Sequence, residues 1–328
     1  MSTATPAPPS TARRLRGAAP LVLATLGTGG LLLLSLTVGV YDVFGGEDGA
    51  EMFGITRIPR TVALVLAGAA MALCGLVMQL LTQNRFVEPS TTGTTEWAGL
   101  GLLVTMILFP TAPTTARMAG AILSAFVGTL VFFAVLRRVS LRSSLIVPII
   151  GIMLGAVVSS VSTFLALTTD MLQNLGIWFA GSFTSVLRGQ YELLWIVAGV
   201  TLAVFLVADR LTVAGLGKEI ATNIGVNYNA VLLMGTGMVA VATGVTTVVI
   251  GALPFLGLVV PNIVSMFRGD DLRSNLPWVC LLGIAVVTAC DLVGRTVVMP
   301  FEVPVSLVLG LVGSVVFVFL LLRQRRRG

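Results

Sequence analysis

Side chains that could perform catalysis are sparse in this sequence. It contains no histidine and three cysteines, Cys74, Cys280 and Cys290, each inside an apolar run. The lack of histidine excludes histidine-based acid–base catalysis and most zinc sites, and the cysteines are expected to be buried free thiols. The sequence contains no nucleophile–base pair, metal-binding cluster or GxxxxGK[ST] phosphate loop. We therefore predict no catalytic residue, metal or cofactor, and expect any ATP hydrolysis to occur in a separate subunit.

The charged residues that could recognise a partner lie at the ends of apolar runs. Arg57 and Arg60 flank Pro59, which suits the first turn of a helix. Arg295 follows Asp291 by four residues, a spacing that permits an ion pair on one helix face. These arginines either serve locally, as interfacial anchors or as that internal pair, or dock an acidic group on an external partner.

Two segments combine helix-breaking residues with polar groups. Gln83–Glu96 contains Pro89 and Gly93, which interrupt helix geometry and could let backbone and hydroxyl groups face a cavity. Gly251–Ser265 contains two prolines and two glycines, which predict a distorted helix. Such breaks either serve packing alone or shape a membrane pathway.

A stripe of small residues recurs every four positions in one apolar run: Gly151, Gly155, Ser159 and Thr163. This spacing places them on one helix face. The stripe predicts either close helix packing or the smooth wall of a translocation path.

The connection 209–229 is too long for a tight turn. Residues within it can form one or two helical turns that end at a glycine. It is either a plain surface loop or a short cytoplasmic helix that docks onto another protein. The residues of this candidate helix are Glu219, Ile220, Ala221, Thr222, Asn223, Ile224 and Gly225.

The elements that carry these residues are membrane-spanning helices. The 328 residues are 56% hydrophobic and only 10% charged, whereas soluble domains are about 25% charged. Continuous apolar runs, rather than alternating strands, indicate helices. We predict an all-α integral membrane protein with about ten spans, of which the third and eighth are short: Pro20–Val40, Pro59–Thr82, Glu96–Pro110, Met118–Leu136, Leu145–Leu167, Tyr191–Ala208, Ala230–Ile250, Ala252–Met266, Leu276–Gly294 and Val305–Leu322.

Charge bias sets the orientation, because cytoplasmic loops are enriched in lysine and arginine. A cytoplasmic N-terminus places most of the 20 basic residues inside. An even number of spans then puts both termini in the cytoplasm of a multi-pass protein of the cell membrane. The predicted organisation is a disordered tail at 1–19, a transmembrane domain at 20–322 that includes the cytoplasmic connection at 209–229, and a basic tail at 323–328. The basic residues left outside are Arg57, Arg60, Arg117, Arg188 and Arg295.

Several of these motifs together resemble the permeases of type II ABC importers, which handle iron–siderophores, haem and vitamin B12. The first signature is carried by Arg57-Ile58-Pro59-Arg60 with Gly68, Gly75, Gln79 and Asn84…Pro89…Gly93. The second is carried by Gly251…Phe255-Leu256-Gly257-Leu258-Val259-Val260-Pro261, and the third by Asp291…Arg295 and Glu302-Val303-Pro304. Arg85 and Asn262 stand where many members have proline and histidine. With Thr94-Thr95-Glu96-Trp97-Ala98, these departures look like the branch for catecholate, petrobactin-like siderophores.

The resemblance implies a ten-helix subunit that dimerises, with itself or a related subunit, around a central path. It implies that Arg57, Arg60 and Arg295 meet acidic residues of an extracytoplasmic siderophore-binding protein. The loop around Glu219–Gly225 would couple to ABC ATPase subunits, and the span that carries the small-residue stripe would line the path. The expected partners are these proteins, the ferric siderophore and membrane lipid, with no nucleic acid.

Two other functions fit the same composition. An ion-coupled secondary transporter of a small solute should carry ionisable groups near the midplane, where Glu96 and Asp291 are the partial matches. A membrane scaffold without a transport role would not co-purify with an ATPase. An importer driven by a separate ATPase is the function that the sequence favours.

Overall fold

The computed structural model describes residues 11–39, 49–139 and 145–325, with side chains at 19–39, 49–139 and 145–322. The described residues form helices joined by turns. The helices are α1 (Thr11–Thr37), α2 (Gly49–Met52), α3 (Ile58–Thr82), α4 (Thr94–Leu108), α5 (Thr114–Leu136), α6 (Ile146–Thr168), α7 (Leu172–Phe179), α8 (Trp195–Gly215), α9 (Lys218–Asn223), α10 (Tyr228–Val249), α11 (Leu256–Arg268), α12 (Leu272–Thr296) and α13 (Val305–Arg325).

Eight helical segments in the described residues are long and apolar enough to cross a membrane, and α4 and α11 are shorter apolar helices. This confirms an all-α membrane protein with about ten spans. The third and eighth predicted spans are indeed the short ones. At 15 and 13 residues, α4 and α11 are about 20–23 Å long, less than the ~30 Å hydrocarbon core. Each is completed by an irregular segment.

Helix α3 forms the centre of the bundle and packs against α8, α10, α11 and α12. It can do so because glycines let the backbones approach closely. A Cβ atom on Gly68 would lie 2.9 Å from the Cα of Ile284 in α12, and one on Gly75 would overlap the backbone of Gly257 in α11. Larger side chains at these crossings would therefore force the helices apart.

Three parts of the chain differ from the predicted boundaries. Helix α8 continues to Gly215, so only 216–227 connects it to α10, less than the predicted loop at 209–229. Helix α7 was not predicted. The predicted tail at 1–19 is described only from Thr11, where it is the start of α1, and residues 1–10 and 326–328 lie outside the described residues.

The cysteine prediction agrees with the structure. Cys74 and Cys290 are buried and Cys280 is half-buried, and all three are free thiols. Among the described residues, no three side chains of metal-ligand type lie close enough to hold an ion.

Candidate functional site

A cluster of five charged residues, four of them buried and Glu302 half-buried, joins the outer ends of α1, α3 and α12. Its members, named here the outer ion-pair cluster, are Arg57, Arg60, Asp291, Arg295 and Glu302. Asp291 is fully buried and forms ion pairs with two arginines, with Arg60 Nη2 at 2.7 Å and with Arg295 Nη2 at 2.6 Å. Arg60 also pairs with Glu302 Oε2 at 2.9 Å. The i,i+4 pair that the sequence suggested for Arg295 is therefore present, within a larger network.

The same arginines also hold the end of α1. Arg295 donates to the carbonyl oxygens of Ser35 at 3.0 Å and Val38 at 2.9 Å. Arg57 donates to the Val38 carbonyl at 2.6 Å. Because carbonyls at a helix C-terminus have no intrahelical donors, these guanidinium groups act as caps. The cluster thus fixes α1 to the rest of the bundle.

The prediction that these arginines present charge to an external partner requires exposed guanidinium groups. The exposed fractions of Arg57, Arg60 and Arg295 are only 7%, 8% and 2%. The sequence could not indicate this burial, because the carboxylates that bind Arg60 belong to Asp291 and Glu302, more than 200 residues away along the chain. Direct docking on these three side chains is not supported by their burial in this chain.

Glu302 links the cluster to the loop before α8. Thr184 Oγ1 donates to Glu302 Oε2 at 2.5 Å. Although burial raises the pKa of Glu302, the hydrogen bonds from Arg60 and Thr184 outweigh it, and the net effect lowers the pKa below its ordinary value. The carboxylate is therefore held in its charged form.

Glu88 joins the two irregular segments inside the bundle. It lies in the connection between α3 and α4, and only 2% of its surface is exposed. Glu88 Oε1 accepts from the backbone N–H of Phe255 at 2.7 Å, and Oε2 accepts from that of Leu258 at 3.1 Å. A carboxylate is favourable at a helix N-terminus, and here it caps α11. The sequence placed Glu88 in a polar run without assigning this role.

The connection between α3 and α4 has two parts: Gln83, Asn84 and Arg85 line a cavity of about 330 Å³, whereas the threonines that follow Pro89 are packed in protein. Thr92 Oγ1 donates to the Glu88 carbonyl at 3.1 Å, and the Thr94 and Thr129 hydroxyls are 2.9 Å apart. These bonds satisfy polar groups that lipid could not. The predicted helix break is present, but the threonines serve packing.

The small-residue stripe on α6 divides into two parts. A Cβ atom on Gly151 would overlap the backbone of Thr91, and one on Gly155 would lie 3.3 Å from the Cα of Gly93. These glycines are buried and serve close packing, the first of the two alternatives that the stripe predicted. Ser159 is exposed and Thr163 half-buried, so only this half of the stripe is open in the chain.

Helix α9 projects from the cytoplasmic end with most of its side chains exposed. The N–H of Val226 donates to the Ala221 carbonyl at 2.9 Å, and that of Gly225 to Thr222 at 3.0 Å. This is a Schellman motif, and Gly225 has the positive φ of 88° that it requires. The exposed fractions of Ile220 and Ile224 are 47% and 61%. The short helix predicted here is present, with two apolar side chains on its surface.

Arg85 and Asn262, the two residues that depart from the common family pattern, contact each other. Asn262 Nδ2 donates to the carbonyl of Arg85 at 2.7 Å, and Arg85 Nη2 pairs with Asp270 at 2.6 Å. A hydrogen bond from Ser265, followed by the charge of Arg85, lowers the pKa of Asp270. The ion pair between Arg85 and Asp270 could not be predicted from the sequence, because the two residues are 185 positions apart.

Comparison with known proteins agrees with this architecture. The permease protein FatD of the petrobactin import system of Bacillus anthracis is 61% identical over 307 residues, covering 94% of this chain and 92% of that protein. The permease protein FatD of the ferric-anguibactin transport system of Vibrio anguillarum is 40% identical over 268 residues, covering 82% and 85%. A solved inward-facing structure, assigned to the metal-chelate type of ABC transporter, has the same fold, with a TM-score of 0.79 at 22% identity over 93% of this chain and 99% of that one.

The match to a family model covers nearly the whole chain, residues 9–323, and that model describes the FecCD transport family. Its span includes the outer ion-pair cluster, the Glu88 cap and α9. On this match and the identity with its relatives, the chain belongs to the FecCD transport family.

Proposed function

We propose that this chain is the transmembrane permease subunit of an ATP-driven importer that carries a ferric siderophore across the cytoplasmic membrane. The observation that carries the proposal is the 61% identity, over 94% of the chain, to a permease of a petrobactin import system. Petrobactin-like catecholate complexes are accordingly the proposed cargo. The chain itself is not proposed to be an enzyme.

ATP hydrolysis is assigned to separate ABC ATPase subunits that contact α9. Ile220 and Ile224 are apolar yet exposed on a helix outside the predicted spans. Burying such side chains against a partner is favourable, by about 1.5–3 kcal/mol for each. This is the property expected of the coupling residues Glu219–Gly225.

A second permease subunit, identical or related, is proposed to complete the path. Helix α6 supports this arrangement, since Ser159 and the neighbouring Ser160 are polar and exposed in the isolated chain. Polar groups facing lipid are costly, and a path shared between two subunits would provide them with water or cargo. Gly151 and Gly155 would hold α6 in place rather than contact cargo.

An extracytoplasmic siderophore-binding protein is proposed to dock at the outer end. Because Arg57, Arg60 and Arg295 are buried, we assign them an indirect role in which they hold the outer ends of α1, α3 and α12 beneath the docking surface. Arg188, by contrast, is exposed at this end and forms no ion pair with a carboxylate in the described part of the chain.

Charge reversal separates these roles. Arg57→Glu with Arg60→Glu should lower both the thermal stability of the chain and binding-protein docking, because it disrupts an internal network. Arg188→Glu should leave stability unchanged and can weaken docking only through surface charge. Purified variants would be compared by thermal unfolding and by binding to the capture protein. A stable double variant with normal docking would refute the indirect role.

Radiolabelled iron uptake tests the function itself. Cells that lack this chain should not import iron as ferric petrobactin, and the restored chain should recover uptake. In vesicles with ATP clamped, the importer should ignore collapse of the proton gradient, whereas an ion-coupled transporter would stop. Uptake by the chain alone, without an ATPase, would overturn the proposal.

A further inference from the structure

An apolar crevice of about 700 Å³ lies between α1, α11 and α12. This volume is within the range of ligand sites, roughly 300–1,000 Å³. Gly27 and Leu31 line it from α1, Phe267 and Arg268 from α11, and Trp278 from α12. Apart from Arg268 and the Thr28 hydroxyl, the lining side chains are largely hydrocarbon, which suits an acyl chain.

Helix α1 is little buried by the rest of the chain, and hydrogen bonds anchor its outer end. The outer ion-pair cluster anchors Ser35 and Val38, while only 11% of the span Ala19–Thr37 is buried in the chain. A Cβ atom on Gly27 would meet no atom within 4 Å. Arg268 at the end of α11 and Trp278 near the start of α12 line the crevice, and in the topology that charge bias assigns both lie toward the inner leaflet.

A cation marks the cytoplasmic rim of the crevice. The guanidinium of Arg268 lies 4.6 Å from the ring centroid of Trp278, and both residues line the crevice. The neighbouring Arg85 and Arg273 pair with Asp270 and Asp209, whereas Arg268 has no ion pair with any carboxylate that the structure describes. Its charge thus remains available for an anion.

We propose that this crevice binds an anionic phospholipid of the cytoplasmic leaflet. The acyl chain would lie along Gly27 and Leu31, and the phosphate would contact Arg268 beside Trp278. A tryptophan and an arginine at this depth suit the headgroup level, and basic pockets between helices on the cytoplasmic side suit anionic headgroups. The phospholipid would fill the space between α1 and the bundle.

Quenching of Trp278 by brominated lipid tests the site. The full-length chain would be reconstituted in nanodiscs of phosphatidylcholine and titrated with brominated phosphatidylglycerol or brominated phosphatidylcholine. The difference between the wild type and Trp278→Phe isolates the signal of Trp278. We expect brominated phosphatidylglycerol to quench Trp278 at a lower mole fraction than brominated phosphatidylcholine. Arg268→Gln should reduce this preference for phosphatidylglycerol about fivefold, which corresponds to the contribution of one cation near an anionic surface. Arg273→Gln is the matched control and should retain the preference.

A second pair of variants tests the acyl-chain part. Gly27→Phe fills the crevice and should abolish quenching of Trp278, whereas Gly30→Phe is also free of clashes but lies outside the lining and should not. Equal quenching by the two lipids, or an unchanged preference in Arg268→Gln, would overturn the proposal. Lack of quenching by either lipid would also overturn it and would leave the crevice to a protein partner.

Discussion

At the scale of single residues, the chain uses charge to build structure inside the membrane. Asp291 has no exposed surface and contacts two arginines. Buried ion pairs add little stability compared with apolar packing, yet removal of one partner leaves an uncompensated charge. The outer ion-pair cluster is therefore sensitive to any single change.

Asp291→Asn should destabilise the chain strongly, because Arg60 and Arg295 would both lose their shared buried carboxylate. The expected loss is about 3–5 kcal/mol, measured as thermal or denaturant unfolding in detergent. Asp209→Asn is the control, since the pair of Asp209 with Arg273 is largely exposed and is worth about 0–1 kcal/mol. Equal shifts in the two variants would contradict the assigned role of the cluster.

Acid should weaken the same cluster through Glu302. The folded-state pKa of Glu302 is lowered relative to about 4.3 in the unfolded chain. At a pH between these two pKa values, the unfolded state therefore binds more protons than the folded state. The stabilisation is complete above the unfolded pKa and is lost as the pH falls through the folded value. Unfolding temperatures between neutral pH and about pH 3.5 should decline less steeply in Glu302→Gln than in the wild type.

Asp270 must be separated from this effect, since its pKa is also lowered. Asp270→Asn should remove a different part of the acid dependence, because Asp270 lies at the cytoplasmic end and Glu302 at the outer end. If Glu302→Gln retained the full acid dependence of the wild type, the charged form of Glu302 would not contribute to stability.

Residue partnerships were the least predictable part of the molecule. The Arg295–Asp291 pair could be anticipated because a helix brings positions four apart together. The pairing of Arg60 with Glu302 depends on how α3 packs against the connection between α12 and α13, which no local pattern contains. The sequence therefore suggested exposed docking arginines where the fold buries them.

At the scale of elements, helix lengths and breaks were well predicted. The apolar runs fixed the spans, and Gly225 fixed the end of α9, because both signals are local. Helix α7 was missed because eight residues in an external connection are too few for a span. The role of Glu88 could not be seen either, since its partners Phe255 and Leu258 lie far along the chain.

Glu88→Gln should loosen the start of α11. The Phe255 and Leu258 N–H groups bind different oxygens of the carboxylate, and glutamine replaces one of these oxygens with an NH₂ donor, so one of the two N–H groups loses its acceptor. A buried donor left without a partner costs about 1–3 kcal/mol, and thermal unfolding should report this loss. Glu51→Gln, at an exposed position, should behave as the wild type, and equal stability of both variants would refute the capping role.

At the scale of the whole molecule, the two short helices begin from opposite sides. The segment before α4 enters from the cytoplasmic side, and the segment before α11 enters from the outer side, according to the topology that charge bias assigns. Glu88 connects them in the interior. Discontinuous helices are typical of transporters, and here one carboxylate joins the irregular segments that precede both of them.

The cytoplasmic input to this arrangement is proposed to be α9. Ile224→Asp should weaken ATPase binding by at least about tenfold, because a buried isoleucine at an interface is worth about 1.5–3 kcal/mol. Binding of the purified subunits and ATP-driven iron uptake would both be measured, with Arg138→Asp as an exposed cytoplasmic control outside α9.

Gly225→Val should also uncouple ATP hydrolysis from iron uptake, since the φ of 88° at this position strains a β-branched residue. Wild-type binding and uptake in both α9 variants would exclude this helix as the contact, whereas loss in Arg138→Asp alone would move the contact to the connection between α5 and α6.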